Sequence, residues 1–384
     1  MKKERYEFFC NKLESAICTD PNESNLNTGL IFKEIVHEMK APFAFILPEA
    51  LEEKLNGCPG AKSAHEWFLL NIKANREKRF LEYYPYFGWQ SENPKRFIKE
   101  FITNYMPKPE QKTNIHEARI ATMGSCFARN IAKPLSQKGA IVFTLPHGET
   151  NNNAPTNELI LSMDYKLDHA NNLKAIDYSN EAQKTFIDGI IKINKKIVEA
   201  GGEPLTIFED AAKFLKTVES STHVILSLGS AVGLFQDEKS GKKWCPFYFE
   251  RDNESQYHEL FSEERIIEST NAILDRIKAI APDTKIIITL SPIPLNGLIR
   301  DKKEVISPVE LDCISKSLQR VCIHKILAKR GDFVYFPSFE IIKWMAPLIT
   351  SESHSWADPR HPQDRTIDLA MTAFVDHFFH EEPI

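Results

Sequence analysis

The chain has 384 residues, of which 42% are hydrophobic and 26% charged, and its net charge is −5. That length suits one large domain and a smaller one, and the balance excludes disordered and collagen-like classes. Mild acidity with scattered Lys and Arg excludes the clustered basic face that displaces counterions from nucleic acid, so no nucleic-acid partner is expected.

The N-terminus starts basic, but Glu4 and Glu7 interrupt it and no apolar core of an export signal follows. No run of about 18 apolar residues occurs anywhere, so a cytoplasmic location and no membrane span are expected. From here to about residue 112 the spacing predicts helices, with apolar positions at Ile31, Phe32, Ile35, Val36 and Met39 and again at Ala64, Trp67, Phe68 and Ile72. Residues Arg79 to Trp89 are dense in aromatics and read as a surface for packing against the next domain. The polar stretch Pro107 to His116 marks the boundary between a helical N-terminal domain, 1–112, and a second domain, 113–384.

Beyond it, short β-branched and aromatic runs at Ala118–Met123, Ala140–Thr144, His223–Leu228, Lys285–Leu290 and Asp332–Phe336 suit buried parallel strands. Helices are expected at Phe127–Lys138, Ala211–Glu219, Ser262–Ile280, Pro308–Lys329 and Thr366–Phe379, and 150–210 reads as a helical excursion. The alternation predicts an α/β sandwich around a parallel sheet. The seven cysteines (Cys10, Cys18, Cys58, Cys126, Cys245, Cys313 and Cys322) are odd in number and include no Cys-x-x-Cys pair. They read as reduced thiols rather than a disulfide framework or a zinc ribbon, and no metal site is expected.

Chemistry concentrates where the first strand of the second domain turns into a helix, at Gly124, Ser125 and Cys126. A serine beyond the carboxyl end of a parallel strand lies on the ligand-binding edge of such sheets, beside the free N–H groups of a helix N-terminus. Locally a helix cap is the commoner role for such a serine. Cys126 is a rival nucleophile, because a thiol at a helix N-terminus ionises more readily; a residue one step into the helix tends to point inward, which favours Ser125. A serine needs a base and the base an orienter, and Asp358 and His361, three residues apart between two prolines, supply both. His354 is a rival base with no carboxylate at matching spacing. Donors for an oxyanion are offered by Gly148 with Asn151, Asn152 and Asn153, and by Gly229 and Ser230. Neither a Gly-x4-Gly-Lys-Ser/Thr loop nor a Gly-x-Gly-x-x-Gly turn is present, which disfavours nucleotide hydrolysis and a dinucleotide cofactor.

Gly124, Ser125, Cys126, Phe127 and Ala128 spell the name of the GSCFA family, a branch of the SGNH (GDSL-like) hydrolases, which the chain resembles over roughly 116–380. Pro146 to Gly148, Leu226 to Gly229, Thr289 to Pro292, Tyr335 to Ile341 and Ala357 to Pro362 follow in the family's order. The resemblance departs at the second block, with Leu145-Pro146 and a displaced Pro155, and at the third, with Gly229-Ser230. It implies a flavodoxin-like three-layer α/β/α sandwich, Ser125 as nucleophile, His361 as base and Asp358 as orienter. It also implies an oxyanion neighbourhood of the Ser125 N–H, Gly148 or the asparagine cluster, and Gly229.

By the same resemblance the substrate is a saccharide ester. With a cytoplasmic location, the expected activity is O-acetylation of a glycan or capsule-type polysaccharide through an acyl-Ser125 intermediate, with acetyl-CoA as donor and no bound cofactor. A carbohydrate acetylesterase and a catalytically silent glycan-binding module are the alternatives. Trp356 and Trp244 are candidates for stacking on sugar rings, and the helical domain is expected to contribute to the acceptor site or to a homo-oligomer contact.

Overall fold

The computed structural model describes residues 3–17, 20–38, 47–79, 94–146, 152–168, 172–178, 180–238, 241–246, 256–295, 297, 306–349, 357–358 and 360–381. The chain divides into two compact units, 1–106 with 341–355, and 107–340 with 356–384. The break falls a few residues before the boundary expected at 112, because Thr113–Asn114 pairs in parallel with Phe379–His380 and Lys112 reaches the Asp376 carbonyl, which tie the linker to the second unit. That 341–355 groups with the first unit was not anticipated.

The first unit contains helices α1 (Lys3–Ser15), α2 (Pro21–Glu38), α3 (Glu49–Gly57), α4 (Pro59–Arg79) and α5 (Pro94–Phe101). The apolar spacing read at 31–36 and 64–72 falls in α2 and α4, and Met39 lies outside the described residues. Phe32 and Phe68 stack at 4.6 Å between ring centroids within a core that also buries Phe9, Leu13, Ile35 and Leu55. Ile341–Met345, a π-helical turn, and Ala346–Ile349 group with this unit. Residues 80–89 of the aromatic stretch lie outside the described residues.

The second unit is built on a five-stranded parallel sheet of β1 (Arg119–Gly124), β2 (Ile141–Thr144), β3 (His223–Leu228), β4 (Lys285–Leu290) and β5 (Phe333–Phe336), in the doubly wound order 2-1-3-4-5. Side chains alternate between its faces. Ala121, Met123, Val224, Leu226, Ile286 and Ile288 share one core with α9 (Ile207–Val218), α10 (Glu263–Ile280) and α11 (Pro308–Leu327), and the intervening α7 (Ala154–Ser162) and α8 (Glu181–Glu199) add to it. The opposite face meets α6 (Cys126–Gln137) and α12 (Asp364–Phe378), where Phe336 packs edge-on against Phe374 at 4.9 Å. The result is helix, sheet, helix in three layers. Helix starts follow local chemistry: Asn153, Asn180, Ser262 and Ser307 each accept a hydrogen bond from the backbone N–H three residues on.

Two segments depart from the sequence reading. Within 150–210 the chain forms α7, then an antiparallel hairpin of Asp164–Leu167 with Leu173–Asp177, then α8, so it is not helical throughout. Between β3 and α10 an unpredicted antiparallel sheet joins Gly241–Cys245, Val232–Glu238 and Gln256–Leu260. No helix among the described residues is long and apolar enough to cross a membrane.

His223, at the start of β3, is fully buried, its ring 4.9 Å from that of Phe379, and its Nε2 has no partner among the described residues. Burial, with a smaller push from the Lys285 ammonium, drops its pKa from the usual 6.5 to about 3. A depressed imidazole pKa means that the unfolded chain binds the proton first, so stability holds above about pH 6.5 and is lost as pH falls toward 3, by about 1.4 kcal/mol per pH unit. Urea unfolding at pH 7 and pH 5 should show this slope, and His223→Leu should flatten it; an unchanged slope in that variant would assign the acid sensitivity elsewhere.

Candidate functional site

Gly124 ends β1 at φ +122°, and a Cβ there would stand 2.0 Å from the Ser227 carbonyl oxygen. Only glycine lets β1 and β3 approach so closely while the chain turns into α6. Ser125 takes the N-cap backbone position, but its hydroxyl makes no capping bond. Instead Ser125 Oγ lies 2.9 Å from Ser227 Oγ, with both residues buried, and the Ser125 N–H donates to the Ser227 carbonyl at 2.8 Å. The helix-cap role, the commoner one on local sequence, is thus not the one this hydroxyl plays. Cys126 is only partly buried, so it is not the wholly inward core thiol expected.

Gly229 sits against this serine. A Cβ on it would come 2.8 Å from Ser125 Cβ and 3.2 Å from Asn152 Cβ, so it is the slot that brings Asn152 beside Ser125. The expected oxyanion donors need correction here. The Ser125 N–H is spent on Ser227, and the N–H groups of Gly229 and Ser230 both donate to the Asn152 carbonyl, at 2.6 and 3.0 Å. Asn153 is a structural cap, accepting from Thr156 N–H at 2.9 Å, and Ser230 Oγ accepts from Val232 N–H at 2.9 Å. Of the predicted donors that are described, the Asn152 side-chain amide is the one that the Gly229 slot brings beside Ser125.

Helix α11 braces these loops with buried polar side chains. Lys316 Nζ donates to the carbonyls of Gly229 and, at 2.8 Å, Ile293, and Gln319 Nε2 donates to the Ser230 carbonyl. Ser315 Oγ accepts from Ala231 N–H at 2.8 Å, and Asp312 Oδ1 from Leu295 N–H at 3.0 Å. Residues 312, 315, 316 and 319 lie on one helical stripe, and every bond named ends on backbone of the loops after β3 or β4.

Asp358 and His361 form the pair that the sequence pointed to, with His361 Nδ1 2.8 Å from Asp358 Oδ2. The carboxylate also accepts from the N–H groups of Arg360 and His361, at 2.7 and 2.8 Å. The imidazole first, then these two N–H groups, hold the Asp358 pKa down to about 2, so it is ionised across the neutral range. The pair is half exposed. It precedes α12, whose far end leads into Phe379, beside the first residue of β3. Phe379, just past α12, lies beside the start of β3, whereas Phe374, inside α12, packs on Phe336 at the end of β5, so α12 runs from the carboxyl end of the sheet toward its amino end and its first residues lie on the carboxyl side, as Ser125 does. No hydrogen bond joins His361 to Ser125 among the described residues; the expected relay stands as two separate pairs, Ser125 with Ser227 and His361 with Asp358. Such bonds often tighten only when substrate binds.

Gly148, Asn151, His354 and Trp356 lie outside the described residues. Sequence reasoning missed Ser227, one hydroxyl in an apolar run, and the α11 stripe, whose polar side chains resemble a solvent face. No group of three or more His, Cys, Asp or Glu side chains able to hold a metal occurs among the described residues. The sequence pattern of the GSCFA family matches residues 119–374, which takes in β1, α6, the loops they contact, Asp358 and His361. Neither the curated proteins nor the solved structures include a match.

Proposed function

We propose that this chain, which belongs to the GSCFA family, is a serine acyltransferase of SGNH type with a flavodoxin-like sandwich, moving an acetyl group from acetyl-CoA to a saccharide hydroxyl. The observation that carries the reading is the Ser125 hydroxyl. It stands at a helix N-terminus without serving as its cap, and it is held by another hydroxyl at the sheet edge shared with an ionised Asp358 and its imidazole partner.

In the reaction, Ser125 Oγ leaves Ser227 and attacks the thioester carbonyl while its proton passes to His361 Nε2. Asp358 fixes the imidazole through Nδ1 and stabilises its cationic form. The tetrahedral oxyanion is met by the Asn152 amide and by the positive end of α6. Collapse expels CoA thiolate, which takes the proton from His361, and leaves acetyl-Ser125. A saccharide hydroxyl then attacks the ester, giving its proton to His361, and the second collapse returns that proton to Ser125 Oγ. Asn152 is a side-chain donor held in place, since its own carbonyl receives two N–H groups from a loop braced by Lys316.

Purified protein given acetyl-CoA alone should release no more than about one equivalent of CoA per chain, and should sustain release only when an acceptor glycan is present. Cleavage of nitrophenyl acetate without acceptor, and no acceptor-dependent CoA release, would make it an esterase. Silence in both, with no labelling of Ser125 by a fluorophosphonate, would leave a glycan-binding module.

A further inference from the structure

A cavity of about 340 Å³ lies one residue away from the serine, lined on that side by Asn152 and Ser230, which flank the Gly229 that sits against Ser125. Its size is at the small end of ligand pockets, which run from about 300 to 1,000 Å³. The far wall is the antiparallel sheet between β3 and α10, which contributes Leu234, Trp244 and His258, and α7 contributes Thr156. None of its described lining residues carries a carboxylate, an ammonium or a guanidinium. Burial lowers the His258 pKa, so this imidazole is neutral near pH 7.

An uncharged lining with an indole, an amide, a hydroxyl and a neutral imidazole has a definite chemical complement. The ligand carries no charge to be paired, one apolar face for the indole, and several hydroxyls for the polar groups. That is a pyranose ring, whose C–H face stacks on aromatics. A uronate, or the phosphates of CoA, would lose water here with no cation among the described lining residues in return. The near wall is also held before any ligand arrives, because Lys316, Gln319 and Ser315 fasten residues 229–231 from behind. Groups fixed in advance lose little freedom on binding.

We infer that this cavity is the acceptor subsite and that it takes a neutral pyranose unit, with Trp244 against the ring and Asn152, Thr156 and His258 meeting its hydroxyls. The inference rests on the acyl-serine reading for the word acceptor. The binding itself is tested apart from the chemistry, in Ser125→Ala protein, so that failure of one is distinguishable from failure of the other.

Isothermal calorimetry of this variant with the methyl glycosides of glucose, mannose, galactose and N-acetylglucosamine, and with methyl glucuronide, supplies the test. At least one neutral glycoside should bind, and the glucuronide should bind ~10-fold or more weakly than the best of them. Adding Trp244→Ala or His258→Leu should weaken that binding by ~10-fold or more. Trp244 also packs edge-on against Phe261 at 5.6 Å, so His258→Leu decides the matter if Trp244→Ala fails to fold. Absence of binding by every neutral glycoside, a preference for the glucuronide, or binding undisturbed by the substitution in a folded variant would overturn the inference.

Discussion

Ser125→Ala is expected to lower acetyl transfer by about 10^4 or more, with His361→Ala falling to the same level, because nucleophile and base act as one unit. Asp358→Asn should retain some turnover, since the imidazole keeps a hydrogen-bonded partner at that position but not the charge that stabilises its cation. Single-turnover release of CoA by each variant, alongside fluorophosphonate labelling, measures the series. Cys126→Ala is the control for the rival nucleophile: it should label and turn over as the unaltered chain does. Retention of activity in Ser125→Ala together with its loss in Cys126→Ala would transfer the role to the thiol. The geometry argues against that outcome, because Ser125 has the buried hydroxyl partner and stands at the end of the strand, whereas Cys126 is already inside the first turn of α6.

Gly124→Ala should be the most disruptive single-methyl change in the second unit. Two penalties coincide: φ +122° is a conformation that L-residues with a Cβ rarely adopt, and the added carbon would overlap a backbone oxygen that cannot rotate away. Strained backbone costs of order 1–3 kcal/mol and overpacking a similar amount, so a loss of about 3 kcal/mol or more is expected in urea unfolding. Relief requires β1 to move from β3 at the rung where Gly124 faces Ser227, which would break the Ser125 N–H bond and the hydroxyl pair together. The variant should therefore lose fluorophosphonate labelling even where it remains folded. A melt like that of the unaltered chain would show that this rung accommodates a Cβ.

The parallel sheet was legible because its central strands are buried on both faces. A run such as His223 to Leu228, with every residue buried, has no reason to alternate and so declares itself by β-branching and length. The antiparallel sheet between β3 and α10 was illegible for the opposite reason. Its strands carry Gln236, Asp237, Lys242 and Lys243 with partly exposed side chains, and its apolar positions are too few to set a period. The candidate site divides in the same way. Ser125, Asp358 and His361 could be named from sequence because their residue types and family segments stand out locally. Ser227 was not, because its place beside Ser125 depends on which strand pairs with β1. Helix α11 inverts the usual expectation: Val309, Ile314 and Val321 are exposed while Asp312, Ser315, Lys316 and Gln319 are buried. Periodicity alone reports that a helix has two faces; what each face meets is decided by the loops it packs against, and here those loops present bare carbonyls and N–H groups.

The grouping of 341–355 with 1–106 also bears on how the chain comes into being. A ribosome adding roughly 5–20 residues per second makes the whole central segment before it reaches Ile341, a delay on the order of tens of seconds. Over that interval the first helical unit exists without its last piece. It must either persist incomplete or wait, and completing it is the step that also brings the chain to the residues just before Asp358 and His361. No single cut divides the polypeptide into its two units, so a fragment begun at 107 keeps Ile341–Ile349 while discarding the unit it groups with. Assembly of the Asp358 and His361 end is in this way tied to the N-terminal helices by the order of synthesis, through chain connectivity alone.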